Sequence, residues 1–358
     1  MSKSSRKILF LAHTQSIHTK RWVEFFIDNG WEVHIISFHP DVIAGAANYY
    51  LNVGKISESG NNLKYLRKLH QILLLTYRIR PEIINAHYMT SFGLLAYLTF
   101  YRKICLTLQG SDVFVYSIRN RLYRFFSKRM LRRAVHIFSV SNAMTKFICS
   151  EFNLDAAKIT TIQYGVDTEL FRILKPIEER KYTFFTNRAF IQNSNYPLIL
   201  DVMHRLKSEN INYSMQIVGS GPLKEHIKTL LEQYDLLDCV FLNDAVKQEE
   251  LVGLLNDAKF YISFTSSDGT PLSLFEACAC GLYPILSAND ANKEWLDKGL
   301  KGECVNLADP DELVNSIKRS MRTTDHKLYQ SYNSEFVRKN MSYAHNMAVI
   351  EKIIASLI

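Results

Sequence analysis

Long hydrophobic runs are missing from this chain. The longest apolar stretches, Ile72 to Tyr77 and Phe92 to Tyr101, are flanked by Arg or Lys and fall short of the roughly 18 residues that a membrane-crossing helix needs. An integral helical membrane protein is therefore excluded. The basic start, Met1 to Lys7, leads into an apolar stretch, Ile8 to Ala12, that is too short for the core of a secretory signal. The chain is accordingly expected to stay in the cytoplasm. Cysteine is sparse: Cys105, Cys149, Cys239, Cys278, Cys280 and Cys304 are scattered, and no CxxC pair faces a distant partner. That argues against zinc and against a disulfide scaffold, and reads as reduced core thiols with no metal site. With only 8 Pro and 14 Gly, collagenous and low-complexity classes are excluded as well.

What is present is an ordinary globular composition, 47% hydrophobic and 22% charged over 358 residues, enough for two domains with their own cores. The net charge of +8 is unevenly spread: residues 1–168 carry 22 Lys+Arg against 10 Asp+Glu, residues 169–358 carry 21 against 25. A strongly basic first half and a mildly acidic second half imply different partners. The first half faces something anionic: a membrane surface, a nucleic acid or a phosphorylated substrate.

Short β runs alternate with amphipathic helical patterns throughout. Lys7 to Ala12, the helix around Trp22, Val23, Phe25 and Phe26 ending at Asn29-Gly30, and Glu32 to Phe38 make a βαβ unit that opens a doubly wound parallel sheet. Further strands are predicted at Ile83 to Ala86, Ile104 to Leu108, His136 to Val140 and Ile159 to Ile162. The alternation restarts after the charged hinge Leu174 to Lys181, with strands at Tyr182 to Thr186, Ser214 to Val218, Val240 to Leu242, Phe260 to Phe264 and Tyr283 to Ser287. The expected organisation is two Rossmann-like α/β domains, 1–172 and 173–336, facing across a cleft. A last helix, 337–358, is expected to pack back on the first domain. Ligands of such sheets bind beyond the carboxyl ends of the strands.

The most informative stretch runs from Phe264 to Gly281. After the strand comes a polar turn, then Thr270 as helix N-cap and Pro271 at the first helical position. The N–H groups of Gly269, Thr270, Pro271 and Leu272, with the positive end of the helix dipole, would favour a diphosphate. Asp268 precedes the helix and Glu276 lies inside it, so the two carboxylates can meet different parts of one ligand. A carboxylate such as Glu276 suits the two hydroxyls of a ribose.

This segment resembles the signature of the retaining glycosyltransferases of family 4, which have the GT-B fold. Ala86-His87-Tyr88, Gln109 to Asp112, Ser139 to Asn142, Tyr164 to Asp167, Val218 to Pro222 and Asn292 to Trp295 agree in order and spacing. The resemblance implies transfer of a sugar from a nucleotide-diphosphate donor to an acceptor, with retention and with neither metal nor cofactor. It implies that Glu276 holds the donor ribose, that Asp268 touches the transferred sugar, and that Arg188 binds the leaving diphosphate. It also places Gly269 to Leu272 on the sugar and phosphates, His87 beside the reacting centre, and Asp112 in the acceptor-side wall. Gly219 and Gly221, read alone a tight strand-to-helix turn, fall on the donor side. His87 alone reads either as a hydrogen-bonded structural residue or, from its place at a strand end, as a site residue.

Three departures stand out. Asp268 stands where the family usually has Glu, which shortens the reach by one methylene and still allows hydrogen bonding to the sugar. The family's Lys five residues after the Arg is Asn193 here, so Lys20 or Arg21 from the first domain would have to complete the phosphate site, unless Arg188 and the helix dipole suffice. The Gly-Gly loop after the first strand is replaced by His13 to Arg21, which puts His18, Lys20 and Arg21 on the acceptor side.

The stretch Arg119 to Arg133 carries seven positive charges, Arg119, Arg121, Arg124, Lys128, Arg129, Arg132 and Arg133, interleaved with Leu122, Phe125, Phe126 and Met130. Such a helix suits an anionic membrane surface, or packs its apolar stripe on the sheet with its charges solvated. The expectation is a glycosyltransferase peripheral on the inner face of the cytoplasmic membrane. It would act on a lipid-linked glycan in surface polysaccharide biosynthesis (capsule, O-antigen or exopolysaccharide). The alternatives are a sugar-nucleotide 2-epimerase of the same fold and a non-catalytic nucleotide-sugar-binding protein; nucleic acid is not an expected partner.

Overall fold

The first strand, β1 (Lys7–Leu11), pairs in parallel with β2 (Glu32–Ser37) on one side and β4 (Ile83–His87) on the other. The connecting helix α1 (Ile17–Asp28) buries Thr19, Trp22, Val23 and Phe26, one stripe at helical spacing. It stops at Asn29-Gly30, where Gly30 takes φ +79°, a conformation that favours glycine. After β3 (Ala47–Tyr50) and a 3₁₀ turn come α2 (Leu69–Ile79), β4, a π-helical turn Tyr88–Gly93 and α3 (Leu94–Leu98). Then follow β5 (Ile104–Thr107), α4 (Ser111–Phe114), α5 (Arg121–Arg133), β6 (His136–Ser139), α6 (Asn142–Phe152) and β7 (Ile159–Thr161). The sheet runs β3-β2-β1-β4-β5-β6-β7.

A second set repeats the plan: β8 (Tyr182–Thr186), α7 (Tyr196–Ser208), β9 (Met215–Gly219), α8 (Lys224–Gln233), β10 (Val240–Asp244), α9 (Gln248–Asn256) and β11 (Ala258–Ser263). It continues with α10 (Leu272–Ala279), β12 (Tyr283–Ser287), α11 (Asp290–Asp297), β13 (Glu303–Val305), α12 (Pro310–Arg322), α13 (His326–Asn340) and α14 (Tyr343–Ser356). Its sheet runs β10-β9-β8-β11-β12-β13, all parallel. Both orders are those of the Rossmann-like doubly wound sheet, the domain type of GT-B chains.

This computed structural model describes residues 6–54, 63–268, 271–323 and 325–358. They form two units, one running to Tyr164 and joined by His345–Ile358, the other Gly165–Ala344. The first boundary lies before residue 172 because Val166 and Phe171 are buried in the second unit's core. A single helix over 337–358 does not form. The Val166 N–H donates to the Met341 carbonyl (2.7 Å) and the Tyr343 N–H to the Val166 carbonyl (2.8 Å), which diverts the backbone and separates α13 from α14. The two helices belong to different units: within the first, Trp31 Nε1 donates to Glu351 (3.0 Å) and Asn346 to the Gln163 carbonyl (3.0 Å). No helix among the described residues is long and apolar enough to cross a membrane.

Candidate active site

In each sheet the strand order reverses beside the first strand, between β1 and β4 and between β8 and β11. The connections that leave the carboxyl ends of the flanking strands run to opposite sides of the sheet there and leave a crevice for a ligand. In the second unit those ends carry Arg188, just after β8, and Asp268, after β11.

Arg188 is held on two sides: Nη2 donates to Asp268 Oδ2 (2.7 Å) and Nη1 to Ser273 Oγ (2.9 Å). The ion pair is largely shielded, with side-chain exposures of 18% and 12%. Burial pulls the guanidinium down, but the charges of Tyr261 and Asp268 outweigh it and raise its pKa, so it is a permanent cation. Ser273 is itself fixed by the Tyr261 hydroxyl (2.9 Å), whose pKa burial pushes up to about 12. Among the described residues, two of the five guanidinium N–H donors are thus occupied, and the rest can take an anion.

Glu276, half-buried, stands three residues after Ser273 on the same face of α10, close enough for its charge to raise Tyr261. The start of α10 differs from the expected one. The helix begins at Leu272 and Pro271 stands before it as N-cap residue. Proline has no N–H, so of the four donors expected from Gly269 to Leu272 that of Pro271 does not exist. Gly269 and Thr270 lie outside the described residues.

Gly219 and Gly221 lie beneath Arg188. A Cβ on Gly219 would come within 2.8 Å of the Arg188 carbonyl, and one on Gly221 (φ +148°) within 2.6 Å of the Phe190 carbonyl. Their small size lets the turn after β9 press on residues 188–190; the Phe190 N–H donates to the Ser220 carbonyl (2.9 Å). Asn193, where the resemblance leads one to expect Lys, clamps the other loop: Nδ2 donates to the Ser267 carbonyl (2.9 Å) and Oδ1 accepts the Ser267 N–H (3.1 Å).

In the first unit, His87 ends β4 and is fully buried. Its Nδ1 lies 3.3 Å from Thr19 Oγ1, and Trp22 and Phe10 meet its ring edge-on. Burial, with His18 and His13 nearby, lowers its pKa to about 3. It is therefore a neutral packed side chain, with no surface facing a ligand in this form. His18 stacks on Tyr164, ring centroids 4.3 Å apart; burial and then Arg21 lower its pKa to about 4. His87 Nε2, His18 Nδ1 and the Tyr164 hydroxyl are buried without a hydrogen-bond partner among the described residues.

Asp112 is also buried. Its carboxylate accepts the N–H groups of Met89 (2.8 Å), Gly110 (2.8 Å) and Gln109 (3.2 Å). It ties together the turns after β4 and β5 and holds Tyr88 at φ +65°, uncommon for a non-glycine residue. Burial raises its pKa despite these bonds. It lies behind the crevice wall, as a brace. Lys20 is exposed and Arg21 half-buried, both on α1.

The basic stretch forms α5, capped by Asn120, whose Oδ1 accepts from Leu122 and Tyr123 (3.0 Å each). Its apolar stripe splits, because Ser127, Met130 and Leu131 are buried while Leu122 and Phe125 are 63% and 51% exposed. Arg119 precedes the helix, and Arg121, Arg124, Arg129 and Arg132 are exposed on it, with Lys128 and Arg133 half-buried.

Residues 7–141 match the family described as Glycosyl transferase 4-like, and residues 166–335 the family described as Glycosyl transferases group 1. The chain belongs to the group 1 glycosyltransferases. Among its curated relatives is the putative colanic acid biosynthesis glycosyltransferase WcaL of Salmonella typhimurium, 26% identical over 213 residues, covering 56% of this chain and 51% of WcaL. The chain thus matches about half the length of that relative. A glycosyltransferase from Rickettsia africae superposes with a TM-score of 0.81 at 16% identity, over 99% of both chains. HepE from Anabaena, in complex with UDP-glucose, superposes with a TM-score of 0.76 at 12% identity, over 98% of this chain and 99% of HepE. At such identities the two structures speak for the fold.

In this group 1 glycosyltransferase, sequence reasoning passed over Ser273 and Tyr261. Ser273 was detectable, since it stands one helical turn before Glu276. Tyr261 reads as one more apolar strand residue, and only the folded chain brings its hydroxyl to Ser273. No group of three or more His, Cys, Asp or Glu among the described residues could hold a metal ion.

Proposed function

We propose that this chain transfers a sugar from a nucleotide-diphosphate donor to an acceptor hydroxyl, with retention at the anomeric carbon. The observation that carries the reading is the Arg188 guanidinium, held by Asp268 and Ser273 at the start of α10 with Glu276 on the same helix face. On this reading the diphosphate takes the remaining guanidinium donors, Glu276 accepts the two ribose hydroxyls, and Asp268 meets the hydroxyls of the sugar. As the bond to the leaving oxygen breaks, Arg188 stabilises the charge that develops there. The acceptor hydroxyl attacks from the side on which the diphosphate departs and gives its proton to a leaving-group oxygen. His87 is a positioning group beneath the turn that carries Tyr88.

The reading extends to a lipid-linked glycan acceptor in surface polysaccharide assembly at the inner face of the cytoplasmic membrane. The naming of WcaL as a putative colanic acid biosynthesis glycosyltransferase and the basic α5 support this. The UDP-glucose bound by HepE supports a nucleotide-sugar donor. The test is incubation with a panel of nucleotide sugars, with and without lipid-linked glycans. The expected result is acceptor-dependent release of the nucleotide diphosphate and a product whose anomeric configuration, read by NMR, is that of the donor. A new sugar or sugar nucleotide formed without acceptor would assign an epimerase instead. Saturable donor binding without turnover on any acceptor would assign a binding protein.

A further inference from the structure

Tyr261, on β11, is fully buried in the second unit's core among Phe185, Leu274 and Phe275, where a hydroxyl is costly unless it is hydrogen-bonded. Burial pushes its pKa up to about 12, so it keeps its proton at neutral pH. Among the described residues its one hydrogen bond is to Ser273 Oγ, at 2.9 Å, so the phenol proton has that oxygen as its acceptor. Arg188 Nη1, which can only donate, reaches the same oxygen at 2.9 Å. A serine hydroxyl has two acceptor lone pairs and one proton. Both lone pairs are then engaged, and the Ser273 proton has no acceptor among the described residues. Ser273 is half-buried, so its hydroxyl is not sealed in the core. Its proton points away from both Tyr261 and Arg188, beside the guanidinium donors that Asp268 and Ser273 leave over. An O–H donor polarised by an adjacent cation suits an oxyanion.

We propose that Ser273 gives its hydroxyl proton to a phosphate oxygen of the bound nucleotide diphosphate, and that Tyr261 acts through Ser273 as a positioning residue that keeps this proton turned outward. The inference rests on the sugar-transfer reading and adds to it a neutral donor and a reason for a tyrosine in an otherwise apolar strand. With phenylalanine at position 261 one serine lone pair is free, and the hydroxyl can turn its proton in more than one direction. With tyrosine the donor is oriented before the ligand arrives, which lowers the cost of binding.

The experiment is calorimetric titration of the full chain with UDP, GDP and ADP, continued with whichever binds the wild type most tightly. Ser273→Ala should weaken binding roughly tenfold, as expected for one lost hydrogen bond to a charged group. Ser273→Thr, which keeps the hydroxyl, should stay within about twofold of the wild type. The loss from Ser273→Ala should persist in an Arg188→Gln background, because the serine is itself a donor to the phosphate. Tyr261→Phe should weaken binding about threefold in the wild type and not at all in Ser273→Ala, since it acts only through that hydroxyl. Thermal unfolding checks that each variant keeps the fold. A folded Ser273→Ala with undiminished affinity, or one whose loss disappears in Arg188→Gln, would overturn the proposed phosphate contact. A Tyr261→Phe effect that is absent, or unchanged in Ser273→Ala, would overturn the positioning role. Either result, with Arg188→Gln still weakened, leaves the sugar-transfer reading standing, whereas a wild type that binds none of the three nucleotides overturns both.

Discussion

Three histidines, His87 buried and His13 and His18 half-buried, make the first unit acid-sensitive. Burial, aided by His39 for His13, Arg21 for His18 and the other two histidines for His87, lowers their pKa values to about 4, about 4 and about 3. In the unfolded chain each should ionise near its ordinary value of about 6.5. All three folded values lie below the unfolded one, so the unfolded chain binds more protons in between. Their stabilising effect is complete above about pH 6.5 and is lost progressively as pH falls towards 4. Each contributes roughly 1.4 kcal/mol per pH unit in that window. Together they should remove up to about 4 kcal/mol between pH 6 and pH 5, a large part of a typical domain stability of 5–15 kcal/mol. Asp112 works in the opposite sense: its raised pKa means that the folded carboxyl takes up a proton more readily than the unfolded one. Single variants are therefore needed to isolate the histidines. The assay is urea unfolding followed by the fluorescence of Trp22 and Trp31, which lie in the first unit, in a Trp295→Phe background that silences the second. His18→Asn or His13→Asn should each reduce the pH slope by about 1.4 kcal/mol per unit, whatever they do to absolute stability. Variants whose pH slope between pH 6 and pH 5 equals that of the wild type would show that these histidines do not set the acid sensitivity.

Two further predictions concern the second unit. Arg180, only 4% exposed, donates to the carbonyls of Ala258 (2.7 Å), Cys280 (2.7 Å) and Lys175 (3.2 Å). Arg180→Met strands these acceptors and should destabilise the unit by about 3 kcal/mol in thermal unfolding; a loss within error of zero would show that water reaches them. Gly221→Ala puts a Cβ against the Phe190 carbonyl at a positive φ, so it should destabilise by about 2 kcal/mol and weaken nucleotide binding by displacing Arg188. A folded variant with intact affinity would show that the turn can shift independently of Arg188.

The strands of both sheets that carry long buried runs were legible in the sequence because an apolar run between turn residues has few other uses. β3, Ala47-Asn-Tyr-Tyr50, was not: it is an edge strand, half-exposed or exposed along its length, and it exists through pairing with β2. β13 has three residues, too few for any period to show. The expected last helix missed its break because Met341 to Tyr343 look helical, and only the bridge to Val166, distant in sequence, competes for their backbone groups. In the site, the motif located Arg188, Asp268 and Glu276. It did not foretell that Arg188 and Asp268 bond to each other, or that Asn193 secures the Ser266-Ser267 turn rather than leaving a gap. For His87 the sequence located the strand end but not the depth, which the packing of Trp22 and Phe10 determines.

The sugar-transfer reading requires that Arg188, bonded to Ser273 in the first turn of α10, and Glu276, on the same face of that helix, form a nucleoside diphosphate site. Calorimetric titration of a panel of nucleoside diphosphates into wild-type protein, Arg188→Gln and Glu276→Gln tests it most directly. Saturable binding of at least one nucleoside diphosphate to the wild type is expected, with a weakening of roughly tenfold to a hundredfold in each variant from the lost charge-assisted hydrogen bonds. Undiminished affinity in both folded variants, or no binding of any nucleoside diphosphate to the wild type, would contradict it.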